Sequence, residues 1–315
     1  MKYSQHLEMK FKKPYFWSNK YSFLSIILIP LSWIVIFINL LLKIKKGTKF
    51  EIPIICVGNI YLGGTGKTPI AKEIYKILRK SGKRPAFVKK HYYFLQDEIN
   101  MLKKVGKVYT KRKREDSIKM LINDNFSHAI LDDGFQDNSI KKDLSIICFH
   151  SNQWIGNGRI IPSGPLRESL HNIKNAECIL INGFKNSQRE ILLKKFNPKV
   201  KIFNYRYSLT FEKNLRNKKV IAFAGIGNPE NYFELLKQNK FKVIKTFSFP
   251  DHYFYNNEDI NNLYNIAKRL NANLITTEKD YLKIKNKQRK KIKKTSVEIN
   301  FLNSNSFKSF IKNKI

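Results

Sequence analysis

The run Gly63-Gly64-Thr65-Gly66-Lys67-Thr68 combines the residue types that hold a nucleoside triphosphate. Glycines let backbone N–H groups wrap an anion. A lysine supplies a point charge for the β- and γ-phosphates, and a threonine hydroxyl suits Mg²⁺. The pattern G-x-x-x-x-G-K-[ST] asks for one more glycine, where this chain has Tyr61. That change leaves the groups nearest the phosphates intact, so Tyr61, Leu62 and Gly63 to Thr68 are taken as the nucleotide contacts. Phosphoryl transfer also needs an acidic group at the end of a second strand for the metal. The stretch HAILDDGFQ supplies Asp132 and Asp133 there. The pair fits a metal role, or one ligand and one hydrogen-bonding partner. A glycine-rich turn and a plain Asp-Gly turn are the bland alternatives. The strand before the glycines and the helix after them favour the functional reading.

These residues need strands to carry them. FEIPIICVGN reads as a buried strand, and residues 69–80 as a helix with Ile70, Ile74, Ile77 and Leu78 on one face. RPAFVKK is a strand, and DEINMLKKV and EDSIKMLINDN are helices. SHAILDDGF, LSIICFH and ECILING are three short apolar strands. Strand–helix alternation predicts an α/β fold, a mostly parallel sheet with helices on both faces, as in phosphate-loop NTPases. Residues 201–220 are polar and aromatic, and read as a linker despite a strand-like alternation. A smaller α/β unit follows. Asn228 and Pro229 are suited to open a helix. FKVIKTFSF, a helix near 256–270 and ANLITTEKDYLKI complete it. The lysine-rich tail after Lys283 reads as solvated surface. The expected units are therefore 1–44, 45–207 and 208–315.

The 315 residues carry 60 Lys+Arg against 24 Asp+Glu, a formal charge of +36. Such a field attracts phosphates, anionic lipid or nucleic acid. Lysine, isoleucine and asparagine are abundant throughout, however, so charge alone selects no partner. Cys56, Cys148 and Cys178 lie in apolar runs without a C-x-x-C pair, as buried reduced thiols do. From Tyr21 to Leu42 there is no charged residue, and lysines bracket the run. A membrane helix accounts for this segment, with Trp17, Tyr21 and Trp33 at the interfacial level and a kink at Pro30. A true span, a hairpin-like insertion and an interfacial helix all fit it, and a buried core helix is the structural alternative. It is too long for a cleaved signal peptide.

The motifs VGNIYLGGTGKTP, LDDGFQ, GNGRIIPSGPLRE, AGIGNPENYF, FPDHY and TTEKDYLK occur in this order. Together, over about residues 50–284, they resemble the tetraacyldisaccharide 4'-kinase family. The resemblance implies an ATP- and Mg²⁺-dependent phosphotransferase with an alcohol acceptor. It would move the γ-phosphate to the 4'-hydroxyl of a tetraacyldisaccharide 1-phosphate, giving lipid IVA in lipid A biosynthesis. It implies a place at the cytoplasmic face of the inner membrane, among anionic lipids, with no obligate protein partner. Residue by residue, Lys67 would hold the β/γ-phosphates, and Thr68, Asp132 and Asp133 would stand at the metal. Asp97 in QDEINML would be the base on the sugar hydroxyl, and His252 would pair with it or support the metal site. Glu168 would be a further metal candidate, with Arg159 and Arg167 as substrate candidates. The chemistry agrees, since a sugar hydroxyl needs a carboxylate or histidine to take its proton. The chain departs from the family at Lys89, Lys90 and His91, which replace a Ser-Arg-Gly-Tyr-Gly motif, and at Asp137, where the family has histidine.

Two other classes share parts of this pattern. A membrane-associated ATPase of the G-G-x-G-K-T type commonly carries a lysine at position 62, which here is Leu62, and has no need of the GRIIPSGPLRE loop. A nucleic-acid binder is suggested by charge alone, without a helix-turn-helix, ribonucleoprotein or zinc pattern, and none is expected.

Overall fold

The computed structural model describes residues 14–42, 47–92, 96–251 and 253–315. Two helices come first, α1 (Phe23–Ile27) and α2 (Ile29–Leu42). Then follow β1 (Ile54–Gly58), α3 (Lys67–Lys80), β2 (Pro85–Lys90), α4 (Gln96–Lys103), β3 (Val108–Lys111), α5 (Arg114–Asn123), β4 (His128–Asp132) and β5 (Leu144–His150). They lead into β6 (Cys178–Asn182), α6 (Ser187–Phe196) and β7 (Lys201–Thr210). The second half holds β8 (Lys219–Ala224), α7 (Pro229–Gln238), β9 (Lys242–Ser248), α8 (Asn257–Arg269), β10 (Asn273–Thr277), α9 (Glu278–Lys283), α10 (Asn286–Arg289), β11 (Lys293–Phe301) and α11 (Ser304–Lys314).

The eleven strands form one sheet in the order β3-β2-β4-β1-β5-β6-β7-β11-β10-β8-β9. Neighbours run parallel except β7 and β11, which are antiparallel. The expected mostly parallel α/β sheet is therefore present. Its inner strands are buried on both faces, which is why they read as unbroken apolar runs. Side chains alternate between two cores. Ile54, Cys56, Ala129 and Leu131 fill one face. Ile55, Val57 and Ile130 fill the other, against Ile70, Ile74 and Ile77 of α3. β1 lies between β4 and β5, so its C-terminal end opens beside that of β4. That is where open α/β sheets take their ligands.

Two expectations change. Residues 201–220, read as a linker, contain β7, which pairs with β6 on one side and β11 on the other. The tail beyond Lys283 is also more than solvated surface. Its strand β11 lies inside the sheet, and Phe307 and Ile311 of α11 are fully buried. The lysines hid a period-two run in TSVEINF.

The apolar segment is two helices rather than one. Pro30 has no N–H to give to the Ile26 carbonyl, and the chain breaks at Leu28. Among the described residues no helix is long and apolar enough to cross a membrane. The pair is amphipathic in reverse. Its polar residues face the protein: Ser25 donates to the Ser163 carbonyl (2.7 Å), Ser32 to that of Ile160 (2.8 Å) and Asn39 to that of Arg167 (3.2 Å). Most of its apolar residues face outward, with Phe23 74%, Trp33 65% and Phe37 60% exposed, while Val35 and Ile36 pack toward Ile160 and Leu166.

Candidate active site

The phosphate loop joins β1 to α3. Gly66 has φ +86°, a left-handed conformation that favours glycine. A Cβ there would collide with the Tyr207 hydroxyl and come within 2.8 Å of that of Tyr205. Two tyrosines of β7 thus buttress the loop from beneath. Tyr61 is itself buried against Ile160 and Leu166, and the Leu62 amide donates to the Pro165 carbonyl at 2.8 Å. Tyr61 and Leu62 anchor the loop, while Gly63 to Thr68 line the cleft.

Asp132 and Asp133 divide their work. Asp132 is fully buried, and its Oδ2 accepts from Thr68 Oγ1 (2.9 Å) and Lys89 Nζ (2.6 Å). Its Oδ1 is buried with no hydrogen-bond partner among the described residues. Asp133 faces the cleft, 3.7 Å from Lys67 Nζ and 3.1 Å from Arg167 Nη1. Burial would raise its pKa, but Lys67 and Arg167 outweigh that and hold it below the ordinary carboxylate value. Its backbone is left-handed (φ 61°). The Asp133 N–H donates to the Val57 carbonyl (2.8 Å), and its carbonyl accepts from Arg114 Nη2 (2.7 Å). Arg114 also pairs with Asp137 at 2.7 Å, which gives the departure at position 137 a structural partner.

The first turn of α4 brings Asp97 and Glu98 to the same end of the sheet. Lys279 of α9 reaches across from the second half to Asp97 (3.6 Å), Glu98 (3.4 Å) and Asp251 (3.2 Å). Lys283 stands 3.7 Å from Asp97. Burial pulls the Lys279 pKa down, but Glu98, Asp251 and Asp97 raise it above the ordinary lysine value. Lys89 is balanced likewise: burial lowers its pKa, while Asp132 and Glu98 more than reverse that. For Glu98, burial raises the pKa, and Lys89 and Lys279 bring it far below the carboxylate range.

The cleft is about 690 Å³ and lies between the two halves. Opposite the phosphate loop it is walled by Ile226, Gly227, Asn228, Tyr232, Leu235 and Val297. Gly227 comes so near that a Cβ on it would sit 3.0 Å from the Gly64 amide nitrogen. An apolar wall beside a phosphate loop is what a purine base requires.

The remaining expected residues are dispersed. Arg159 donates to Ser25 Oγ (2.8 Å), under the N-terminal helices rather than in the cleft. Glu168 accepts from Asn172 and lines a separate hollow of about 590 Å³ with Lys49, Lys141 and Lys142. His252 lies outside the described residues, and its neighbour Asp251 lines the cleft. Glu98, Asp251 and Lys279 were not singled out from sequence, although each sits inside or beside a motif already quoted.

A family model described as tetraacyldisaccharide-1-P 4'-kinase matches residues 24–94 and 95–315. The chain belongs to this family. A tetraacyldisaccharide 4'-kinase of Pelagibacter ubique is 43% identical over 291 residues, covering 90% of this chain and 92% of that protein. One from Rickettsia bellii is 33% identical, covering 88% and 90%. The fold is similar to that of LpxK from Aquifex aeolicus, whose crystal structure is described as in complex with ATP. The TM-score is 0.69 at 23% identity, over 92% of this chain and 99% of that one.

Proposed function

We propose that this member of the tetraacyldisaccharide 4'-kinase family transfers the γ-phosphate of ATP to the 4'-hydroxyl of a tetraacyldisaccharide 1-phosphate in lipid A biosynthesis. The observation that carries the reading is the convergence of Lys67, Asp133 and Glu98, from three separate parts of the chain, at the phosphate end of one cleft, with Asp97 beside Glu98 and 3.6 Å from Lys279 on the cleft wall. Backbone amides of Gly63 to Lys67 take the β- and γ-phosphates, aided by the positive end of α3. Lys67 and Arg167 supply positive charge where charge develops in transfer. Asp97 accepts the hydroxyl proton. Lys279 and Lys283 orient it as a carboxylate.

Among the described residues no group of three or more His, Cys, Asp and Glu side chains could hold a metal alone. Mg²⁺ asks for less, since it binds through one or two carboxylates, water and substrate phosphates. Thr68, Asp133 and Glu98 on the cleft, with the unsatisfied Oδ1 of Asp132 behind them, fit that demand. When bound, Mg²⁺ would neutralise charge on the β- and γ-phosphate oxygens.

The outward apolar face of α1 and α2 suits the cytoplasmic surface of the inner membrane, where a tetraacylated acceptor resides. The +36 charge supports the same location, since it favours anionic leaflet lipids. The test is transfer of labelled γ-phosphate from Mg-ATP to tetraacyldisaccharide 1-phosphate in detergent micelles. Transfer by wild type and none by Asp97→Ala is the expected result. ATP hydrolysis without transfer by well-folded wild type would overturn the reading.

A further inference from the structure

Lys89, on β2, is not among the residues assigned above to the nucleotide, the metal or the acceptor. Its side chain is only 2% exposed. Its Nζ lies 2.6 Å from Asp132 Oδ2 and 2.7 Å from Glu98 Oε2. A buried ammonium is tolerated only beside close counter-charges. Here those counter-charges sit on different elements, β4 and the first turn of α4.

The contacts continue in both directions. The Asp132 oxygen that meets Lys89 also accepts from Thr68 of α3 at 2.9 Å. The other oxygen of Glu98 meets Lys279 of α9 at 3.4 Å, and Lys279 reaches Asp97 at 3.6 Å. Charges of alternating sign therefore run from β4 through β2 and α4 to α9, with Thr68 of α3 hydrogen-bonded at the β4 end. Lys89 is the link that connects the phosphate-loop half of this string to the half that holds Asp97.

We propose that Lys89 is a positioning residue for phosphoryl transfer: it fixes the first turn of α4, and with it the Asp97 carboxylate, against Asp132 and the phosphate loop. Without the ammonium, Asp132 and Glu98 are two carboxylates facing one buried gap, and their repulsion drives α4 outward. The ATP contacts of Gly63 to Lys67 do not pass through Lys89. Its loss therefore falls on the transfer step rather than on nucleotide binding. The inference rests on the kinase reading above.

Full-length wild type, Lys89→Met, Lys89→Arg, Glu98→Gln and the Lys89→Met/Glu98→Gln double variant are compared for γ-phosphate transfer, with KM for ATP and calorimetric binding of a non-hydrolysable ATP analogue. Lys89→Met keeps the length and the apolar stem. Its kcat is expected to fall roughly 30–100-fold, the scale of an ångström-level misplacement. The KM for ATP and the affinity for the analogue stay within about threefold. Lys89→Arg recovers at least about tenfold of the loss, because a cation again bridges the carboxylates. The double variant is much less impaired than the product of the two single effects. If Lys89→Met does not fold, Lys89→Gln, which retains a donor without the charge, carries the same comparison. An unchanged kcat, a loss residing in KM for ATP, or multiplicative single effects would each overturn the proposal. Wild type without any transfer would instead overturn the kinase reading.

Discussion

Gly66→Ala separates two effects that meet at one atom. The first is backbone strain. A residue with a Cβ held at φ +86° pays for a left-handed conformation by roughly 1–2 kcal/mol. The second is overlap. The new methyl would strike the Tyr207 hydroxyl and sit 2.8 Å from that of Tyr205, and Tyr205 is fully buried. Forcing extra volume into a packed site costs about 1–3 kcal/mol. Together the substitution should destabilise by about 2–5 kcal/mol, seen as a melting temperature lower by roughly 3–8 °C. The loop would also shift, so the KM for ATP should rise at least about tenfold. Gly66→Ala/Tyr207→Phe removes the hydroxyl that the methyl meets first and leaves the strain. It should recover up to about half of the lost stability. Scanning calorimetry with steady-state kinetics reads both quantities. The buttressing argument fails if Gly66→Ala melts with the wild type at unchanged KM, or if Tyr207→Phe recovers nothing in the Gly66→Ala background.

Asp133→Ala removes the carboxylate that meets both Lys67 and Arg167, and should lower transfer at least about 100-fold while circular dichroism stays that of the wild type; retained activity would contradict its role. Trp33→Glu/Phe37→Glu on the outward face of α2 should weaken sedimentation with anionic vesicles yet leave transfer to a water-soluble, short-chain acceptor unchanged. Unaltered sedimentation would dismiss the membrane-facing reading. Glu98, Asp133 and Asp137 all have depressed pKa values in the folded chain, from ordinary values of 4.5, 3.8 and 3.8. Their stabilisation is fully present above those values and is lost as pH falls below them through the lower folded-state values, so the melting temperature should begin to drop below about pH 4.5. Burial, helped by Lys83, lowers the pKa of His128 from 6.5, so a shallower loss should begin below that pH and vanish in His128→Gln. A melting temperature flat down to pH 3 would refute both assignments.

Sequence patterns revealed the strands that carry the phosphate loop, because parallel strands buried on both faces leave long apolar runs. They revealed Lys67, Thr68, Asp132 and Asp133 because these follow such runs at short, fixed spacing. β11 is hidden, since seven lysines from residue 283 to residue 294 dominate its surroundings and its apolar residues recur only at every second position. The roles of Lys279 and Asp251 were equally hidden. Lys279 meets α4 only after a chain of more than 150 residues has folded back, Asp251 joins the group through Lys279, and no local spacing records either contact. The division of labour between Asp132 and Asp133 turns on one left-handed peptide, which a sequence shows only as Asp-Asp-Gly.

The antiparallel join between β7 and β11 has a consequence for synthesis. β11 is made after every other strand of the described residues, and it enters the interior of the sheet rather than its rim. A growing chain that stops before Lys293 has two half-sheets, with raw edges at β7 and β10 that invite other strands. Before then the wall bearing Tyr232 and Gly227 meets the phosphate-loop half only through packing such as that of α7 against Leu209 of β7, without the strand that ties the two half-sheets into one. The cleft is thus complete only once residues 293–301 have been made and paired, and a chain still short of them lacks the strand that joins its two walls.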